Sequence, residues 1–328
     1  MITIRVFSEK TGVRTIEPAQ LTEWDYSCDE NIWVDMYETG SPDCERILSK
    51  VFGFHDLLIE DALKYSRDSE VHHPKIDDFE SYMFIVFNGI NKGATISKIS
   101  FFSLSCFLGH NFLVTIHNEK PVNSVAESVR NSMSPSSFRK GPDYLLHLIF
   151  DAIVDNYYPI LDELEEKLNS IEETMFKNDP TNRVLVTILS LKRDLVKLIR
   201  YSSYQREVLF KLTRADSDLI SPEESIYYRN VYDHLVRIAD SSESYRDYTT
   251  SVLDSYLSIV NNRLNETMKF LTSVATVMLP LTFLTGLFGM NFEHMPFLKS
   301  EWGFGLTIMI MAAIGSGMIY WFRKKKIM

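Results

Sequence analysis

The stretch GLFGMNFEHMP, Gly286 to Pro296, places an amide, a carboxylate and an imidazole (Asn291, Glu293 and His294) between two long apolar runs. An asparagine amide is neutral and offers an oxygen. Mg²⁺ releases its water slowly and demands short octahedral coordination. A ring of amide oxygens from several copies can hold such an ion through its hydration shell, whereas a ring of carboxylates binds it more tightly and passes it less readily. Gly289 permits close backbone approach where a helix ends. Glu293 adds negative field at the same mouth.

Upstream, Asn265, Met268, Thr272, Ala275, Leu279, Thr282, Gly286 and Gly289 recur at alternating spacings of three and four. That rhythm puts them on one face of a supercoiled helix. The face is small or polar at most steps, while Phe270, Leu271, Val274, Val277, Leu281, Phe283, Leu284 and Phe288 occupy the others. Small residues on a membrane helix mark close helix packing. The same stripe also suits a pore, with hydroxyl rings at Thr272 and Thr282, an amide ring at Asn265, and apolar collars at Met268 and Leu279 that gate by dewetting. Both readings require several copies of the helix around an axis.

The elements that carry these residues follow from the charge pattern. No charged residue occurs from Phe270 to Phe292, nor from Trp302 to Phe322. Each run has about the 20 residues that span a bilayer. The second is apolar nearly all round and suits an outer, lipid-facing helix. Arg263 and Lys269 precede the first run and Arg323, Lys324, Lys325 and Lys326 follow the second, so the positive-inside rule places both termini in the cytoplasm. Tyr320 and Trp321 stand where an interfacial belt belongs.

The 328-residue chain as a whole carries a formal charge of -10 and, outside the apolar runs, a globular composition, which is compatible with cations as ligands and argues against nucleic acid. Its three cysteines form no CxxC pair, which fits reduced, buried thiols. The N-terminus has no apolar signal-peptide segment. No nucleotide loop, catalytic triad or paired-carboxylate site is present, so the chain does not read as an enzyme. His72 and His73 with Asp77, Asp78 and Glu80 lack the spacing of a closed zinc site and read as surface or sheet-edge residues. The acidic run 162–173 reads as a solvated helical face.

IRVF (4–7), NIWVDMY (31–37), YMFIVFNGI (82–90), ISFFSLSCFLG (99–109) and NFLVTIH (111–117) read as strands, with a tight turn at 108–111. ERILSKVFG (45–53) and HDLLIEDALKY (55–65) read as helices, the second capped with help from Asp56. GPDY (141–144) closes this α/β part. Helical periodicity then runs from Tyr144 to about residue 176 with Pro159 as its only breaker, turns at 177–182, and returns over 182–214. SPEES (221–225) resembles a helix start, and no Gly or Pro follows until Pro280. A continuous helix from there to residue 288 is roughly 95 Å long. Such a helix needs partners along its apolar face, so an oligomer is expected.

Gly289-Met290-Asn291 between two C-terminal spans, followed by FEHMP, resembles the CorA family of magnesium channels. The resemblance extends through MKFLTSVATVMLPLTFLTG (268–286), VYDH (231–234) and HPKIDDFESYMFIVF (73–87). It implies an α+β/α membrane protein and a homopentamer: a cytoplasmic α/β domain (1–142), a hairpin of long helices (143–222), and a stalk helix forming a funnel and entering the membrane (223–290, its span at about 270–290). An external loop (291–302), a second span (303–322) and a basic cytoplasmic tail (323–328) complete it. It implies a plasma (inner) membrane location and a passive influx of Mg²⁺, with Co²⁺ and Ni²⁺, driven by the membrane potential, and no organic cofactor. Gly289, Met290 and Asn291 match the family's selectivity filter, and Asn265, Met268, Leu271, Leu279, Thr282 and Gly286 its pore lining. Heptad spacing favours Thr272 where the family match favours Leu271. Internal Mg²⁺ bound between cytoplasmic domains closes the family's pore. Glu60 and Asp61 match one half of that sensor and Asp155 lies near a second acidic position, beside Asn156. The partner position, usually Asp, is Asn230 here, and an amide there weakens metal affinity. The alternatives are a Zn²⁺ transporter of the ZntB branch, against which Met290 argues, and a membrane-anchored coiled-coil scaffold that transports nothing.

Overall fold

The computed structural model describes residues 1–21, 24–25, 27–37, 42–67, 72–91, 94–96, 99–118, 129, 131, 135–177, 181–214, 218–290 and 302–325. The chain divides into two compact units, Met1–Val252 and Leu253–Met328.

The first unit is built on a seven-stranded sheet ordered β2-β1-β3-β7-β6-β5-β4. The strands are β1 (Ile2–Ser8), β2 (Gly12–Ile16), β3 (Asn31–Tyr37), β4 (Lys75–Asp78), β5 (Tyr82–Ile90), β6 (Phe101–Gly109) and β7 (Phe112–His117). Five of them fall where β-branched and aromatic residues cluster in the sequence. The edge strands β2 and β4 do not announce themselves, because their residues are polar: GVRTI and KIDD. Charge is what an exposed edge carries to avoid pairing with another chain. All pairings are antiparallel except β3 with β7, which run parallel at the centre. β5 is buried along its whole length, as expected of a strand covered on both faces.

One face packs against helix α1 (Pro42–Arg46), a π-helical turn (Ile47–Val51) and helix α2 (Asp56–Tyr65). Ile4, Val34, Phe84, Val86 and Phe107 from the sheet meet Ile47, Leu48, Leu58 and Ile59 there. Each such side chain contributes about 1.5–3 kcal/mol on burial. The helix expected at 45–53 is therefore a short α-turn followed by a π-turn that ends at Gly53, whose φ is 64°. Helix α2 is capped by His55, not Asp56: the His55 Nδ1 accepts from the Leu57 amide at 3.3 Å. At the β6–β7 turn, a Cβ on Gly109 would run into the Phe112 ring, so only glycine fits.

The other face carries α4 (Pro142–Asp155) and α6 (Asn182–Thr213), with α3 (Pro135–Arg139) over β1 and β2. Phe87 stacks on Phe150 with ring centroids 4.2 Å apart. Gln205 of α6, fully buried, donates to the Asn88 carbonyl, and Asn88 donates to the His72 carbonyl at 2.8 Å. The helical run expected from Tyr144 is broken at Asn156–Tyr157, and α5 (Tyr158–Lys177) starts afresh. Pro159 explains the break, since its ring clashes with the carbonyl four residues back, that of Asp155.

Helix α7 (Ser225–Phe288) is continuous through Pro280. Its start is set at Ser221, whose carbonyl accepts from the amides of Glu224 and Ser225 at 3.1 Å each. Within the second unit, α8 (Gly303–Lys324) lies against α7: a Cβ on Gly315 would stand 3.8 Å from Leu281 Cδ1, ordinary contact distance.

Candidate pore helix and metal sites

Among the described residues, two helices are long and apolar enough to cross a membrane, α7 and α8, with 18-residue windows of mean hydropathy 1.7 and 1.6. The exposure pattern of α7 separates its faces. Ser273 is buried, and Val277, Pro280, Leu281, Leu284 and Phe288 are partly covered. At about 100° per residue these six fall on one side of the helix. Met268, Ala275, Leu279, Thr282 and Gly286, all exposed, fall on the opposite side. Leu271 and Thr272 flank that opposite stripe on its two sides, so both stand at one level, consistent with either spacing. Leu279 is 73% exposed and Leu271 67%, more than expected of large apolar side chains facing nothing.

The four threonines of this stretch are all exposed but differ in their hydrogen bonds. Thr276 and Thr285 donate to the carbonyls of Thr272 and Thr282 at 2.7 and 2.9 Å, the local bond that satisfies a threonine inside a helix. Among the described residues, the hydroxyls of Thr272 and Thr282 make no hydrogen bond. The helix closes with the Gly289 amide donating to the Thr285 carbonyl at 2.9 Å, and Met290 follows, exposed. Asn291 and Glu293 lie outside the described residues.

The first unit holds two groups of acidic residues. On α2, Asp61 accepts from the Lys75 ammonium at 2.9 Å, and Asp77 takes the same ammonium at 3.1 Å. Glu60 is exposed and borders a cleft with Glu45, Asp56 and Lys64. The second group is Asp151 and Asp155 of α4 with His234 of α7, whose ligand atoms all lie within 4.8 Å of one another. Burial pushes the Asp151 carboxyl above its usual range, the Asp155 charge adds to this, and His234 opposes it. A bound cation would relieve that repulsion. Asn230 stands exposed one turn before His234 on α7. Asp155 was legible from the sequence, but Asp151 and His234 were not. The i, i+4 spacing of Asp151 and Asp155 is the signal that could have raised the first. Only the fold brings His234 to them.

The other candidates resolve into packing. His72 stacks on Tyr65 and His73 lies tilted against Tyr204, each with ring centroids 3.9 Å apart. Three carboxylates of the acidic run are engaged: Glu163 accepts from the Ile96 amide at 2.9 Å, and Glu165 and Glu172 accept from the Tyr245 and Tyr248 hydroxyls at 2.6 Å each. That face is a helix–helix seam, not merely a solvated surface.

A membrane-length helix with a stripe of small and hydroxyl side chains, on a chain that also clusters carboxylates, defines a membrane protein built to handle cations. Residues 29–324 match the family described as CorA-like Mg²⁺ transporter protein, and the chain belongs to that family. It is a divalent metal ion transporter. The cobalt/magnesium transport protein CorA of Thermotoga maritima is 36% identical over 298 residues, covering 90% of this chain and 82% of that one. The complete structure of the CorA magnesium transporter from Methanocaldococcus jannaschii superposes with a TM-score of 0.81 at 25% identity, covering 98% of this chain and 97% of that one. The zinc transport protein ZntB of Yersinia enterocolitica is 21% identical over 317 residues, covering 97% of this chain and 93% of that one.

Proposed function

We propose that the chain assembles as a homopentamer and forms a passive Mg²⁺ influx channel of the plasma (inner) membrane, admitting Co²⁺ and Ni²⁺ as well. Five copies of α7 line the pore through Asn265, Met268, Leu271, Thr272, Ala275, Leu279, Thr282 and Gly286. A ring of Asn291 after Gly289 and Met290 selects the hydrated ion, with Glu293 adding field at the mouth. The single observation that carries this reading is the division of α7: the face turned to α8 is covered or partly covered and, apart from Ser273, apolar, and the opposite stripe is exposed and holds the Thr282 hydroxyl, which among the described residues makes no hydrogen bond, with that of Thr272 at its flank. Unpaired hydroxyls at membrane depth are costly unless they meet water or a partner. At 100 mV, inside negative, a divalent ion gains about 4.6 kcal/mol on entry, so no nucleotide is needed.

Both termini are cytoplasmic in this reading, because α8 ends in Arg323 and Lys324. Internal divalent cation closes the pore by binding Glu60 and Asp61 on one side and the Asp155 group on the other, with Asp151 and His234 completing the latter. The neutral Asn230 lowers the affinity of that sensor.

The 21%-identical ZntB protein keeps zinc transport as the second reading. Proteoliposomes holding a fluorescent Mg²⁺ dye, under an inside-negative potential, separate the two. Mg²⁺ entry that Asn291→Ala abolishes, with the oligomer intact, supports the channel. Zn²⁺ uptake that follows a proton gradient, without Mg²⁺ entry, supports the zinc transporter. Neither flux would leave an anchored scaffold.

A further inference from the structure

Lys75 and Asp77 are two residues apart on edge strand β4, so their side chains leave the same face of the sheet. Their cross-strand partners are Val86 and Phe84, which belong to the core beneath α2. That face therefore looks at α2, where Asp61 is presented. The Lys75 ammonium is fixed there on three sides: Asp61 Oδ2 at 2.9 Å, Asp77 Oδ2 at 3.1 Å, and the Phe84 ring with its centroid 5.2 Å away. A lysine ammonium is a full positive charge at neutral pH. Lys75 thus occupies at Asp61 the place a metal cation would take, between two carboxylate oxygens. Glu60, the neighbouring carboxylate, has no such partner among the described residues.

We infer that Lys75 is a tethered competitor for divalent cations at Asp61 and sets the concentration at which internal Mg²⁺ acts. This rests on the reading of Glu60 and Asp61 as part of the sensor. A metal ion reaching Asp61 either displaces the ammonium onto Asp77 alone or settles within a few ångströms of it. In both cases the single positive charge opposes the double one. Two charges against one at about 5 Å, in water and with salt, weaken binding by about fivefold to tenfold. Lys75 raises the working concentration in the same direction as the neutral Asn230, so this chain responds only to a high internal level.

The test is limited trypsinolysis of the full-length protein in detergent, read as the Mg²⁺ concentration that half-protects it. Lys75→Met keeps the length of the side chain and its packing on Phe84. It is expected to lower the half-protecting concentration about fivefold to tenfold, while Lys75→Arg stays at the wild-type value. Lys64→Met, on α2 with Asp61 but without the paired carboxylates, is expected to shift it less than about twofold. Asp77→Asn, a conservative change at a half-buried position that leaves the ammonium to Asp61 alone, is expected to raise it. A Lys75→Met protein that is protected at the wild-type concentration or higher overturns the inference, as does an equal shift from Lys64→Met. Should Lys75→Met not fold, a fall with Asp77→Asn overturns it as well. Asp61→Asn separates the two levels. If it leaves protection unchanged, the sensor reading itself fails. If it abolishes protection while Lys75→Met does nothing, only the role of Lys75 fails.

Discussion

Replacing Asp155 with asparagine tests the second acidic group most sharply. Asp155, Asp151 and His234 present their ligand atoms within 4.8 Å of one another, close enough for one cation to touch all three. A divalent ion at ordinary coordination distance lies about 3 Å from the carboxylate charge, worth about 3 kcal/mol at the dielectric of water. Asp155 is exposed, so salt and side-chain freedom reduce this. The amide keeps one oxygen ligand, and the net loss is about 1.4 kcal/mol, or tenfold. The assay is Mg²⁺ flux in proteoliposomes as a function of Mg²⁺ on the face bearing the N-terminal unit. Asp155→Asn should need about ten times more Mg²⁺ to reach half-closure, because the net loss left after screening and the retained amide oxygen is of that size. His234→Ala should weaken closure by Co²⁺ and Ni²⁺ more than closure by Mg²⁺, because imidazole suits transition metals and Mg²⁺ prefers oxygen. Half-closure within twofold of wild type for Asp155→Asn, Asp151→Asn and His234→Ala together would refute the assignment.

Other predictions concern the scaffold. Burial, helped by the Lys140 charge, lowers the pKa of His147 from 6.5 to about 4. The unfolded chain then binds the extra proton between those values, so stability is lost as pH falls from about 6.5 towards 4, by at most about 3 kcal/mol. Thermal unfolding of the full-length protein in detergent should show that slope, and His147→Gln should flatten it. Tyr245→Phe and Tyr248→Phe each remove one hydroxyl from the α5–α7 seam and should cost about 1 kcal/mol apiece, seen as lowered melting and faster proteolysis of α5. Gly109→Ala forces a methyl group into the Phe112 ring and should destabilise the sheet by about 1–3 kcal/mol, whereas Gly286→Ala meets open space in the single chain and should leave its folding unchanged.

Much of the fold was legible because burial dictates composition. β3, β5 and β7 sit between layers of helices, and a strand covered on both faces is mostly apolar and β-branched or aromatic, its few polar members such as Asp35, Asn88, Thr115 and His117 being buried with hydrogen-bond partners. β2 and β4 were missed because an edge strand tolerates polar residues, and KIDD has β5 as its strand partner. The start of α7 was written in SPEES by capping chemistry, and its length by the absence of breakers. The end of α4 was written in Pro159 but displaced by four residues, because proline acts on the carbonyl of the preceding turn. The cap at His55 was hidden because an imidazole caps helices less often than the aspartate beside it. In the candidate sites, the stripe from Asn265 to Gly286 needs only periodicity to be proposed from sequence, whereas Asp151, one turn before Asp155 on the same helix, was passed over although its i, i+4 spacing was there to read. What joins separate elements could not be read, namely His234 with Asp151 and Asp155, and Lys75 with Asp61. Those meetings depend on how α4, α7, α2 and β4 pack.

The most direct measurement is Mg²⁺ entry into proteoliposomes under an inside-negative potential, wild type against Asn291→Ala. A potential-driven Mg²⁺ influx that the substitution abolishes, in a protein that still elutes as the same oligomer, is the expected result. A wild-type protein that passes no Mg²⁺, or an Asn291→Ala protein that passes it as fast, would contradict the pore and its filter.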